Sequence, residues 1–234
     1  MATRTYPELL DLSLSEVARL IKRRELSPVE VTEATLARIA SVNPKLSAFI
    51  TVFEEQALQV ARAAEMLVMA GHDLGPLHGV PIALKDNIAT KGQRTTAGSK
   101  ILADWLPEHD ATVTSRLRRA GAVFVGKLNM HEFAWGGTSD NPHYGAVRNP
   151  WNTDRFPAGS SGGAGAAVAA RACFGAIGTD TGGSIRLPSA VNGIVGLRVD
   201  ITELKQREAS FRLLFDSNPI PMIVCALDGE RILG

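Results

Sequence analysis

The chain has 234 residues, 45% of them hydrophobic and 21% charged, and a formal net charge of +1. That length accommodates one or two globular domains, and the balanced charge gives no electrostatic footprint for nucleic acid or an anionic membrane. Two cysteines, Cys173 and Cys225, are too few for a disulfide framework.

No run approaches the ~18 apolar residues of a membrane span. The opening MATRTYPELLDLSLSEVARL lacks the uninterrupted apolar core of a signal peptide. The expected location is the cytoplasm. His131-Glu132 is not followed by a second histidine three residues on, so no metal motif is present.

Two helices are expected to open the chain. Ser13-Leu-Ser-Glu16 and Ser27-Pro-Val-Glu30 both read as capping boxes, the second with proline at the first helical position. Behind them Val17, Leu20 and Ile21, then Val31, Ala34, Leu36 and Ile39, recur at helical spacing. Leu46–Phe53 reads as a strand, and Gln56–Ala70 as a helix closed by Gly71. From Pro76 the pattern becomes strand, loop, helix, strand. VPIALK is a buried strand, Ala111–Ala120 a helix with Arg116, Arg118 and Arg119 outward, and Ala122–Lys127 the next strand. Helices alternating with short apolar strands predict an α/β sheet. Leu128–Gly145 follows as a long loop at the C-terminal end of a strand, where ligands commonly bind.

The chain then changes character. From Pro157 it reads PAGSSGGAGAAVAARACFGAIGTDTGGSIRLPSAVNGIVGLR, with two Gly/Ser turns at 159–163 and 181–184 around an Ala-rich helical run. A phosphate-binding loop is excluded, because no glycine precedes Lys-Ser or Lys-Thr in the required frame, and the dinucleotide fingerprint G-x-G-x-x-G fails at Val168. A flexible linker is excluded by Val168, Phe174, Ile177 and Val195. Serines held by glycines at element boundaries can expose a hydroxyl beside free backbone N–H groups, which acyl transfer requires.

GSSGGAGAAVAA followed by GTDTGGSIRLPSAVNGIVGL resembles the signature of the amidase signature family of serine hydrolases, and GVPIALKDNI at 79–88 resembles that family's lysine motif. Ser160 lies 75 residues after Lys85 and 24 before Ser184. The resemblance runs from about Leu10 to Arg198, the front half of such an enzyme. It implies a Ser–Ser–Lys triad, with Ser184 as nucleophile, Ser160 as the bridge after a cis peptide bond, and Lys85 as the ultimate base. The backbone N–H groups of Thr181, Gly182, Gly183 and Ser184 would form the oxyanion hole, and part of the substrate pocket would lie near Ala134, Trp135 and Gly136. An alternative for that loop is that Phe133 and Trp135 simply pack it down.

A lysine alone at the end of an apolar strand reads as a solvated charge; only the two serine motifs make Lys85 a base. Such a base must be neutral. With a reference pKa of ~10.4 this costs about 4.6 kcal/mol at pH 7, within what burial in an apolar strand can supply. Ser161 and Asp180 are expected to brace the turns by hydrogen bonding, and Arg186 to partner a carboxylate or carbonyl.

After Arg198 the family's usual continuation is absent. DITELKQ resembles the close of one PAS sensory domain, and SFRLLFDSNPIPMIVCALDGERILG the opening of another. Residues 201–215 are expected to form a helix with an apolar stripe, and MIVCALDGERIL a hairpin turning at Asp228-Gly229. The expected organisation is an incomplete amidase portion at 1–198, a mixed sheet flanked by helices, and at 199–234 a linker helix with a PAS-like helix-and-hairpin fragment. No haem, flavin, metal or other cofactor is expected.

Three functions follow. The first is an amidase acting on a small linear carboxamide through acyl-Ser184. The second is the glutamine-hydrolysing component of a tRNA-dependent amidotransferase, disfavoured because the 128–145 loop departs from that subfamily's usual MDEFAMGS. The third is a catalytically dead amidase–PAS chimera. No direct contact with nucleic acid or membrane is expected, and an exposed sheet edge would favour pairing with a second copy.

Overall fold

The computed structural model describes residues 5–200 and 222–227, with residues 6, 199–200 and 222–227 described by their backbone. The chain opens with α1 (Tyr6–Leu10), α2 (Leu14–Lys22) and α3 (Pro28–Leu46). The first capping box forms as the sequence predicts: Ser13 and Glu16 satisfy each other's backbone N–H groups. At α3 the outcome differs. Ser27 accepts from the N–H groups of Val29 and Glu30, and its hydroxyl donates to Glu65 at 2.5 Å. Glu65 lies on α4 (Glu54–Met69), so this cap also ties α3 to its neighbour.

Among the described residues six strands follow: β1 (Phe49–Val52), β2 (Pro81–Lys85), β3 (Val123–Leu128), β4 (Gly175–Gly178), β5 (Val195–Asp200) and β6 (Met222–Leu227). They form one sheet in the order β1-β3-β2-β4-β6-β5. β1 runs antiparallel to β3, and every other neighbouring pair is parallel. The sheet is therefore mixed, with helices on both faces, as the alternation of apolar strands and helices predicts.

Alternation along β2 sorts the faces. Ile82 and Leu84 join a core with Val17, Leu20 and Ile21 of α2 and with Phe124 and Ile177. Ala83 joins the opposite core, with Leu36 and Ile39 of α3, Ala57 and Ala61 of α4, and the alanines of α6 (Gly162–Ala169). Buried on both faces, β2 is a continuous apolar run that ends in Lys85. α5 (Thr112–Arg119) crosses from β2 toward β3 with its three arginines exposed, and α7 (Arg186–Asn192) follows β4.

α6 lies so close to the sheet that only glycine fits at its start. A Cβ on Gly163 would lie 2.3 Å from the Asn129 carbonyl oxygen and 2.6 Å from that of Ala48. Both are backbone atoms that cannot give way.

Met222–Leu227, expected as the first arm of a hairpin, enters the sheet parallel to β4 on one side and β5 on the other, with Val224 opposite Ile177 in one ladder and opposite Leu197 in the other. The physical reason is that β4 and β5 do not pair with each other, and the gap between them offers two unsatisfied edges to an apolar run. β5 also continues to Asp200, past the expected boundary at Arg198. The predicted helix at 201–215 and the Asp228-Gly229 turn lie outside the described residues.

Candidate active site

The parallel strands deliver their C-terminal ends to one place, where open α/β sheets commonly bind ligands. β2 ends in Lys85, and β4 runs directly into Thr179 and Asp180. The segment before α6 brings Ser160, whose peptide bond with Gly159 is cis.

Because Ala83 faces the α6 side, Lys85, two residues on, faces it as well. It is fully buried, and its Nζ lies 2.7 Å from Ser160 Oγ and 2.8 Å from Thr179 Oγ1. Asn87 Nδ2 reaches the same Thr179 oxygen at 3.2 Å. Ser161 clasps Thr179 through its backbone: its hydroxyl donates to the Thr179 carbonyl at 3.2 Å and accepts the Thr179 N–H at 3.4 Å. The Ser161 N–H donates to the Ser184 carbonyl at 3.1 Å, which fixes the Ser184 turn beside the Ser160 segment. The Ser184 hydroxyl is half-buried and makes no hydrogen bond among the described residues.

The turn carrying Ser184 is built on Asp180. This buried carboxylate accepts the N–H groups of Gly183 and Ile185 at 3.0 Å and of Arg186 at 3.1 Å. It also accepts the Arg186 guanidinium in a fork at 2.9 and 3.1 Å. Burial alone would raise its pKa, but Arg186 and the three amides outweigh it and hold the carboxyl well below the usual range. Asp180 and Arg186 therefore brace the turn, as expected. The Gly183 N–H, one of the expected oxyanion donors, is bonded to Asp180 at 3.0 Å in this structure. The N–H groups of Thr181, Gly182 and Ser184 have no partner among the described residues.

The loop after β3 is stitched to this centre. The His131 N–H donates to the Ser160 carbonyl at 3.1 Å, and the Ser139 hydroxyl to the same oxygen at 3.3 Å. Ser139 also accepts the Gly162 N–H at 3.0 Å. Asn141 bonds the Gly98 and Met130 carbonyls and closes the loop's base. Ala134, Trp135 and Gly136 lie on this loop. Trp135 is 88% exposed and Phe133 50%, so neither packs the loop down. The ring of His131 fills the space a side chain at Gly136 would need.

A second buried lysine lies on the neighbouring strand but is not part of this cluster. Lys127 of β3 sits opposite Leu84, whose face of the sheet is the other one. It donates to the Ile88 carbonyl and to Thr90 and Thr95, and burial brings its pKa down to about 8. Its neighbour Asp86 is bonded by Thr96 and Gly98, and burial pushes its carboxyl up. Sequence reasoning missed Thr179 and Asn87, although both lie inside the quoted motifs GTDTGGS and GVPIALKDNI. Among the described residues no group of three or more His, Cys, Asp or Glu is placed to hold a metal ion. No described helix is long and apolar enough to cross a membrane.

The site thus sets a buried lysine against a serine that follows a cis peptide bond, at the C-terminal ends of the strands of a mixed α/β sheet. Residues 30–204 match the Amidase family model, and the chain belongs to that family. It is 52% identical over 191 residues to the A-subunit of the glutamyl-tRNA(Gln) amidotransferase of Geobacter metallireducens, covering 82% of this chain and 39% of that relative. Among solved structures it is similar to the native peptide amidase of Stenotrophomonas maltophilia, at 38% identity and a TM-score of 0.73, covering 78% of this chain and 39% of that one. It is also similar to a fatty acid amide hydrolase, at 32% identity and a TM-score of 0.77, covering 80% and 33%. The chain thus spans about two-fifths of the length of the curated relatives it matches.

Proposed function

We propose that this site hydrolyses the C–N bond of a linear carboxamide through an acyl-Ser184 intermediate. The observation that carries the reading is the fully buried Lys85 Nζ at 2.7 Å from Ser160 Oγ. With Lys85 neutral, that contact runs from the Ser160 hydroxyl to the amine lone pair. α6 begins two residues after Ser160, and its positive end favours the neutral amine over the ammonium.

In the acylation step the Ser184 hydroxyl turns to Ser160 and its oxygen bonds the amide carbon. The Ser184 proton passes to Ser160, whose own proton passes to Lys85. The carbonyl oxygen becomes an oxyanion, held by the N–H groups of Thr181, Gly182 and Ser184. As the oxyanion collapses the C–N bond breaks, and the leaving nitrogen takes the proton back through the same relay as ammonia or an amine. Water then attacks the ester, and its proton follows the relay to regenerate Ser184 and release the acid. Trp135 and Phe133, exposed on the loop that His131 and Ser139 tie to Ser160, would form an apolar wall for the substrate. The substrate is a small molecule, and no cofactor takes part.

Intact-mass analysis after fluorophosphonate treatment tests this. One adduct per chain is expected, absent in Ser184→Ala and slowed at least 100-fold in Lys85→Ala. Folded protein with no adduct would refute the enzyme reading and favour a catalytically inactive member of the family.

A second reading, the glutamine-hydrolysing component of an amidotransferase, is favoured by the name of the 52%-identical relative. Ammonia release from glutamine but not from simple carboxamides would select it, and would imply further protein partners. Self-association along the outer edge of β5 belongs to the same proposal and is checked by sedimentation of the purified chain.

A further inference from the structure

We infer that Thr179 is a positioning residue for Lys85, fixing the direction in which the lysine lone pair points. The inference rests on the Lys85–Ser160–Ser184 relay proposed above. A neutral primary amine has two N–H donors and one lone pair, and it serves as a base for Ser160 only when the lone pair faces that hydroxyl. Free rotation about the terminal C–N bond would leave the lone pair correctly aimed for only part of the time.

The surroundings of Nζ remove that freedom. Thr179 Oγ1 lies 2.8 Å from Nζ, and Ser160 Oγ lies 2.7 Å from it. If Thr179 accepts an N–H from Lys85, the lone pair is left for Ser160. Asn87 makes Thr179 an acceptor for Lys85 when its amide oxygen faces the threonine. Its side-chain amide lies 3.2 Å from Thr179 Oγ1, and its Oδ1 is buried without a partner. The two ends of an amide exchange by a simple flip. With Oδ1 toward Thr179, it takes the hydroxyl proton and leaves only the oxygen lone pairs for Lys85. The run is then directional: Lys85 N–H to Thr179 O–H to the Asn87 carbonyl.

Thr179 itself is held from both sides of its backbone by the Ser161 hydroxyl. Ser161 is the residue after the bridge serine, and its N–H holds the Ser184 carbonyl. One residue thereby ties the end of β4, the segment before α6 and the Ser184 turn into a single unit. Thr179 touches no reacting atom; it acts through Lys85.

The test is the pH dependence of fluorophosphonate labelling of the full chain, in which the Ser184 oxygen displaces fluoride from phosphorus and its proton leaves through the relay. In Thr179→Val, a near-isosteric change, the limiting rate at high pH should fall at least 10-fold. The midpoint of the profile should move to lower pH, because the lost acceptor favours the ammonium form. Thr179→Ser should keep both within about twofold of the parent. Asn87→Asp should move the midpoint upward, since a carboxylate near Lys85 favours its charged form.

A merely structural role predicts the opposite for Thr179→Val: loosened packing would hydrate Lys85 and raise the midpoint. That result, or an unchanged rate and midpoint, would overturn the inference while leaving the relay intact. A parent chain that labels at no pH would overturn the relay and the inference together.

Discussion

Replacing Asp180 with asparagine tests whether the Ser184 turn depends on a carboxylate. The change keeps shape and removes one acceptor oxygen. In the parent, one carboxylate oxygen accepts the Gly183 N–H, and the other accepts those of Ile185 and Arg186. Asparagine's better orientation keeps its carbonyl on Ile185 and Arg186 and turns its NH2 against the Gly183 N–H. One buried donor is then orphaned, costing about 1–3 kcal/mol, and two charge-assisted bonds become neutral, losing about 1 kcal/mol each. The half-exposed Arg186 side chain is screened by water and adds little. The expected loss is about 3–5 kcal/mol. At a urea m-value of about 2 kcal/mol/M this lowers the unfolding midpoint by about 1.5–2.5 M. A shift under about 0.3 M would show that the turn does not rest on this acceptor.

The pH dependence of the same variant has a definite sign. The folded Asp180 pKa is depressed, so the stability it contributes is complete above its unfolded value of ~3.9 and is lost as pH falls below it. Asp180→Asn should lose that part of the parent's acid sensitivity.

Other variants separate packing, charge and topology. Gly163→Ala places a Cβ against the backbone of Asn129 and Ala48, and should lower the melting temperature by about 10 °C or leave no soluble protein. Gly137→Ala, with open space around it, should melt within about 1 °C of the parent. Folded Lys127 releases its proton near pH 8 while the unfolded lysine keeps its own to about 10.5, so its contribution to stability rises as pH increases through that window. The difference between the parent and Lys127→Met in urea midpoint, measured at pH 7.5 and 9, should show that rise; a constant difference would refute it. Val224→Pro removes an N–H from a strand paired on both sides, and should open β5 to limited proteolysis while β1 to β4 stay protected. Cys173, fully buried with its thiol pushed up to about 12, should resist alkylation at pH 8 until the protein unfolds.

Much of this protein is set by its sequence at short range. The Ser13–Glu16 cap, the glycine turns around Ser160 and Ser184, and the apolar run of β2 depend on residues within a few positions of one another. Their elements form close to the predicted bounds. The brace at Asp180 is also local, spanning six residues to Arg186. What the sequence leaves open is decided by pairing between distant segments. VPIALK and AVFVGK are alike, each an apolar strand carrying a buried lysine at its end. Only the parallel register, which sets Lys127 opposite Leu84, turns the two lysines to opposite faces of the sheet. Only the path of the chain through β4 brings Thr179 to Lys85 across 94 residues. The place of Met222–Leu227 was decided the same way. Its own residues favour a strand, but the open edges of β4 and β5 determine where that strand lies, because backbone hydrogen bonds are satisfied by whichever edge the fold presents.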